Sequence, residues 1–237
     1  MTNQVNNKKK AEIPPATITH RLMALDPTLH AYNEGQWGSD NPWSIGFHSF
    51  NDAGIECETG EFLYGLIRII QPKKVLETGT HWGVGSAYMG MALKDNGDGV
   101  LDTVEFLPEI YSRAQERIRI LDLERFVKCY LIDASKFVAS HQYQVMLLDT
   151  EPQTRFAELL RFFPFLSPGG FVFIHDLHRH MHQIPNAEHG FAWPYGKIPV
   201  ELKQLVNSGQ LRPIHFSTPR GLTGFYKPHA EDFQWEK

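Results

Sequence analysis

Between residues 59 and 176 the chain alternates short apolar runs with amphipathic stretches, and no other feature restricts its fold so much. KKVLETG (73–79), GVLDTVEF (99–106), FVKCYLID (126–133), YQVMLLD (143–149) and GGFVFIHD (169–176) each have the length and composition of a strand. SAYMGMALK (86–94) and LPEIYSRAQERIRIL (107–121) have helical spacing. In the second, Leu107, Ile110, Tyr111, Ala114, Ile118 and Leu121 form a stripe, and Pro108 sits where a first helical turn accepts it. A further helix carries Phe156, Leu159, Leu160 and Phe163. Strands alternating with helices of this length imply βαβ units, and therefore a doubly wound, mostly parallel sheet with helices on both faces. Runs such as VMLL and FVFI lack polar alternation, as strands buried on both sides require.

The flanks are less regular. TGEFLYGLIRII (59–70) places Phe62, Leu63, Leu66, Ile67 and Ile70 on one helical face, with Thr59 as its expected cap. PVELKQLVNSG (199–209) reads as a helix, and LRPIHFSTPRGLTGFYKP (211–228) as a hairpin turning at Thr218-Pro219-Arg220-Gly221. Residues 1–15 are polar, end in Pro14-Pro15 and read as a disordered tail. Residues 16–58 look irregular and aromatic, with Trp37, Trp43, Phe47 and Phe50, and are expected to wrap the core or form a lid over the 59–237 domain. The segment 177–198, with Pro185, His189, Phe191, Trp193 and Tyr195, is long for a connection and reads either as a substrate wall or as surface aromatics.

A chain of 237 residues suits one α/β domain. A net charge of −4 argues against a general nucleic-acid or anionic-membrane binder, and the KKK at 8–10 reads as a solvated end. Cys57 and Cys129 lack metal-type spacing, which favours a reduced, cytoplasmic protein. The first residues lack the apolar region of a signal peptide, and no apolar run reaches bilayer length. The aromatic N-terminal segment would suit a homodimer.

Residues 75–87, VLETGTHWGVGSA, put glycines at 79, 83 and 85 directly after a strand. Dinucleotide loops use G-x-G-x-x-G to bring backbone amides against a pyrophosphate. Here bulky His81 and Trp82 fill that first turn, and no Gly-Lys-Ser/Thr follows to hold a triphosphate. A ligand with an adenosine part and no phosphate fits better. Glu77, Gly79, Thr80, His81, Gly83, Gly85 and Ser86 are its candidate contacts, with Glu77 facing a cationic amine. Glu105 closes the next strand, where a carboxylate accepts from ribose hydroxyls, a feature NAD would share. Asp133, Ala134 and Ser135 follow the third strand and are placed to frame an adenine edge, although Asp133 suits a helix cap almost as well.

Together VLETGTHWGVGSA, DTVEF, LIDAS, LLDTEP, SPGGFVFIHD and PRGLTGFYK resemble the class I S-adenosylmethionine-dependent methyltransferases over about residues 59–228. The resemblance implies a Rossmann-like, seven-stranded sheet ending in an antiparallel hairpin, S-adenosylmethionine as cofactor, and a hydroxyl of a small molecule (a sugar, phenol or natural product) as acceptor. The nearest types are those that methylate catechols and those that modify sugars on natural products. In metal-dependent members, aspartates at the positions of Asp149 and Asp176 hold Mg²⁺; Asp149 could instead contact the cofactor's amino-acid end. Two departures stand out: Leu177 replaces an asparagine ligand, and Pro152 replaces a catalytic lysine. His175, His178, His180 and His182 are the available substitutes. His178 is preferred as base or extra ligand, because the sugar-modifying type pairs a histidine base with a metal; His175 is second. Arg220 reads as an ion-pair partner, with substrate contact as the alternative. An NAD-dependent oxidoreductase is disfavoured by the glycine spacing. A catalytically inactive binding subunit stays open because the lysine and asparagine are missing.

Overall fold

A computed structural model describes residues 17–34, 47–50, 54–177, 198–216 and 220–229. Helix α1 (Ile18–Leu25) and a two-stranded antiparallel sheet, β1 (Ala31–Glu34) with β2 (Phe47–Phe50), precede the expected alternation. That alternation runs α2 (Cys57–Ile70), β3 (Lys74–Thr78), α3 (Val84–Asn96), β4 (Val100–Glu105), α4 (Pro108–Ile120), β5 (Val127–Leu131), β6 (Tyr143–Leu148), α5 (Arg155–Phe162) and β7 (Leu166–His175). Helix α6 (Val200–Asn207) and the hairpin β8 (Arg212–Phe216) and β9 (Leu222–Tyr226) follow. The seven strands lie in the order β5-β4-β3-β6-β7-β9-β8. Strands β3 to β7 are mutually parallel, and β9 runs antiparallel to both β7 and β8.

Side chains alternate between the two faces. Val75, Val145, Leu147 and Phe173 point into a core shared with α1, α2 and α3, while Leu76, Met146, Leu148, Val172 and Ile174 point into one closed by α5 and α6. Apolar runs without polar gaps are what such a two-sided sheet demands. Leu63 and Ile67 of α2 are fully buried, with Phe62, Leu66 and Ile70 packed at the margin, as the helical stripe predicts.

Residues 18–25 are helical, not irregular: the Thr17 hydroxyl accepts from the His20 amide, and Ile18 and Leu22 join the first core. Eight residues show too little periodicity to betray a helix that packing stabilises. Helix α2 starts earlier than expected, with Glu56 at its cap position; the Thr59 hydroxyl donates to Glu56 instead of capping. Strand β7 also begins three residues before Gly169. The tail 1–15, Trp37, Trp43 and most of 177–198 lie outside the described residues. No described helix is long and apolar enough to cross a membrane.

The chain leaves β3 outward through β4 and β5, then returns to β6 on the other side. The carboxyl ends of β3 and β6 are therefore the switch point where open α/β sheets form a crevice. There Gly79 takes a φ of 80°, and a Cβ would collide with the Asp149 carbonyl. The glycine lets the two chain ends converge.

Candidate functional site

The glycine loop joins β3 to α3 across that switch point. Gly83, with a φ of 77°, caps α3, and its amide donates to the Thr80 carbonyl. Thr80 is buried and shares a hydrogen bond with Thr103 across 2.6 Å. The His81 amide donates to Glu105 Oε2 at 2.9 Å, while Glu105 Oε1 accepts from the amides of Phe106 and Leu107, each at 2.9 Å. Glu105 is thus fixed at the strand end, beside a Phe106 that is 57% exposed. The His81 ring stacks on Trp82 with centroids 5.2 Å apart, and its Nδ1 is buried without a hydrogen-bond partner. Burial holds that imidazole below its usual pKa, against the pull of Glu105 and Asp149.

Glu77 sits beneath the loop and is only 2% exposed. Its Oε2 accepts from the hydroxyls of Ser86 and Thr103, the latter at 2.6 Å. Gly85 permits this, since a Cβ there would strike Glu77 Oε1. Burial pushes the Glu77 carboxyl up to about 8, outweighing the two hydroxyls. The expectation that Glu77 faces a cationic amine therefore meets a buried carboxyl that ties strand to helix. Asp133, Ala134 and Ser135 form a turn after β5, in which Asp133 Oδ1 accepts from the Ser135 amide at 2.7 Å. The Ser135 hydroxyl and then its amide hold the exposed Asp133 carboxyl below its usual range, and local capping is the role the geometry supports.

The acids ending β6 and β7 belong to a buried ionic cluster. The His175 ring is fully buried, with Nδ1 3.0 Å from Asp149 Oδ1 and Nε2 2.8 Å from Glu56 Oε2. Arg155, at the start of α5, reaches Asp149 Oδ1 at 2.9 Å and Asp176 Oδ2 at 3.3 Å, and so bridges the two aspartates. Arg220, in the hairpin turn, lies 2.8 Å from Asp176 Oδ1 and 3.6 Å from Glu56 Oε1. Asp176 itself adopts a φ of 57°, a left-handed conformation that aspartate accepts more readily than most residues. Burial disfavours the imidazolium, yet Asp149, Asp176 and Glu56 overcome it and push the His175 pKa up to about 10. In turn, His175 and the arginines hold Asp149 and Glu56 ionised against their own burial.

Two expectations change here. His175 is a protonated, doubly anchored cation, which makes it a poor proton acceptor. Asp149 and Asp176 do not converge on a common cation position, because the Arg155 guanidinium bridges them. Arg220 forms the expected ion pair, while His178, His180 and His182 lie outside the described residues. Glu56 and Arg155 were not legible as site residues. A signal existed for each: an acid between Ile55 and Cys57, and a cation in the first turn of a helix, where the macrodipole opposes it.

Residues 76–177 match a family model described as a methyltransferase domain. No curated protein is a significant match to this chain. Among solved structures, the S-adenosylhomocysteine-bound methyltransferase PaMTH1 of Podospora anserina is 13% identical, with a TM-score of 0.64 over 94% of this chain and 91% of its own. The O-methyltransferase TomG of Streptomyces achromogenes, involved in tomaymycin synthesis and solved with S-adenosylmethionine, is 19% identical, with a TM-score of 0.59 over 76% and 83%. An O-methyltransferase of Bacillus cereus in complex with S-adenosylhomocysteine is 16% identical, with a TM-score of 0.60 over 74% and 84%. The methyltransferase-domain match thus spans β3 to the end of β7, and the solved structures share the fold of this seven-stranded sheet.

Proposed function

We propose that the protein transfers a methyl group from S-adenosylmethionine to a hydroxyl of a small molecule. The observation that carries this is the glycine loop at the switch point, with a fixed Glu105 carboxylate on one side and the unpartnered, buried Nδ1 of His81 on the other. A nucleoside with vicinal hydroxyls suits that donor and acceptor set, and the exposed Phe106 offers its base an apolar face. The ligands bound to TomG and PaMTH1 support the same ligand class.

When bound, S-adenosylmethionine supplies an electrophilic methyl group on a sulfonium. The chain's own part is to place the acceptor oxygen, take its proton and keep water away. Asp149, the most exposed carboxylate of the cluster and one held ionised, accepts a hydrogen bond from the acceptor hydroxyl and orients it. His175 fixes Asp149 in that orientation. Proton removal is assigned to His178, two residues beyond Asp176. The described part of the 16–58 segment, α1 with the β1–β2 pair, acts as a cap on the 59–237 domain. The overall acidity and the free cysteines favour a cytoplasmic enzyme that binds neither nucleic acid nor membrane, and the aromatic cap suits a homodimer.

Calorimetry with S-adenosylmethionine, S-adenosylhomocysteine and NAD tests the ligand class. One molecule of either sulfur ligand per chain is expected, with weaker binding by Gly79→Ala, whose Cβ would push the loop away from Asp149. Binding of NAD alone would refute the reading.

A further inference from the structure

We propose that two guanidinium groups occupy the place of the divalent cation implied for this fold, so that the strand-end acids hold no metal and methyl transfer needs none. The inference rests on the reading of the site given above, and deepens it.

The cluster is already balanced in charge. Glu56, Asp149 and Asp176 contribute three carboxylates, and His175, Arg155 and Arg220 contribute three cations, all linked by contacts of 3.6 Å or less. A buried cluster that is neutral gains nothing from two further positive charges, whose dehydration alone is costly.

Its ligand atoms are also faced by cations: Glu56 Oε1 and Asp176 Oδ1, buried without a hydrogen-bond partner, lie 3.6 and 2.8 Å from the Arg220 Nε. Glu56, His175 and Asp176 offer ligand atoms within 4.8 Å of one another, a spacing a metal would accept. Every one of those residues is engaged. Both His175 nitrogens face carboxylates, and Asp176 contacts both guanidiniums. The guanidiniums are pinned by backbone as well: Arg155 donates to the carbonyls of Thr150 and His175, and Arg220 to that of Gly54. Admitting a cation would mean expelling an arginine from bonds to carbonyls as well as to acids.

One oxygen ligand, moreover, is missing. A hard cation such as Mg²⁺ requires near-octahedral oxygen coordination. The residue after Asp176 is Leu177, whose side chain packs against the apolar cluster on the α5 face of the sheet and offers no oxygen. One sequence change thus withdraws a ligand, and two arginines supply fixed positive charge. Arg220, with its side chain 20% exposed, carries the most accessible of that charge.

The test titrates Mn²⁺ into the full chain in the presence of S-adenosylhomocysteine, following the free-ion signal by electron paramagnetic resonance. The expected result is no saturable uptake, or uptake that Asp176→Asn leaves unchanged. Arg220→Gln, which unbalances the cluster, is expected to gain one Mn²⁺ per chain, whereas the charge-conserving Arg220→Lys is not. Saturable uptake of one Mn²⁺ by the unaltered chain, lost in Asp176→Asn or Asp149→Asn protein that still binds S-adenosylhomocysteine, would overturn the proposal. If Arg220→Gln does not fold, the titration of the unaltered chain decides. S-Adenosylhomocysteine binding is measured separately, so failure of the methyltransferase reading is told apart from failure of this one.

Discussion

At the scale of single residues, Glu77 shows how far burial shifts the meaning of a motif. As a sequence feature it is an acid before a glycine loop, open to contact with a ligand. In the fold it is sealed between β3 and α3, bonded to Ser86 and Thr103, and its pKa is raised to about 8. The folded protein therefore holds a proton between about pH 4.5 and 8 that the unfolded chain releases. Its stabilising contribution is full below the unfolded value and declines as pH rises toward 8. Relative to the unaltered protein, Glu77→Gln should become progressively more stable from pH 5 to 8, by at most about 1.4 kcal/mol per pH unit. Paired thermal melts across that range measure it, and parallel curves would refute it. Glycine spacing was readable in the chain, but how deep Gly85 lets the carboxylate sit was not.

At the scale of elements, Arg117 ties three segments together. From α4 its Nε lies 2.9 Å from Asp26 Oδ2, its Nη2 reaches Thr28 Oγ1, and its Nη1 donates to the Trp82 carbonyl of the glycine loop. Arg113, one turn earlier on the same helix, lies 5.5 Å from the Trp82 ring. The residues after α1 are thereby locked to the glycine loop through a helix that belongs to neither. Asp26 is fully buried, so Arg117→Ala leaves a charge unpaired, at a cost of about 3–5 kcal/mol. The melting temperature should fall accordingly, and Asp26→Asn added to Arg117→Ala should recover part of the loss. A single variant that melts like the parent would disprove the lock. In sequence, Arg117 is one of several cations on a solvated helix. Only the return of the N-terminal segment buries it.

At the scale of the whole molecule, the site draws on widely separated described elements: Glu56 ahead of α2, the loop after β3, Asp149 after β6, Arg155 on α5, and Arg220 in the last hairpin. Ligand binding should therefore stabilise the fold globally, by about 2.7 kcal/mol at a hundredfold excess over Kd. Hydrogen exchange with S-adenosylhomocysteine should show extra protection around residues 79–86 and 105–107. Strand β8, which among the described residues pairs only with β9, should change least. Extra protection of β8 with none at residues 79–86 and 105–107 would argue for a different site. The sequence by itself determined the βα alternation, the glycine loop and the acids at strand ends, because periodicity, turn chemistry and strand length are local properties. Tertiary structure alone decided that Glu56, Arg155 and Arg220 close around His175 and the two aspartates. These residues lie far apart in the chain, and what selects them is the cost of burying any one of the charges without the others.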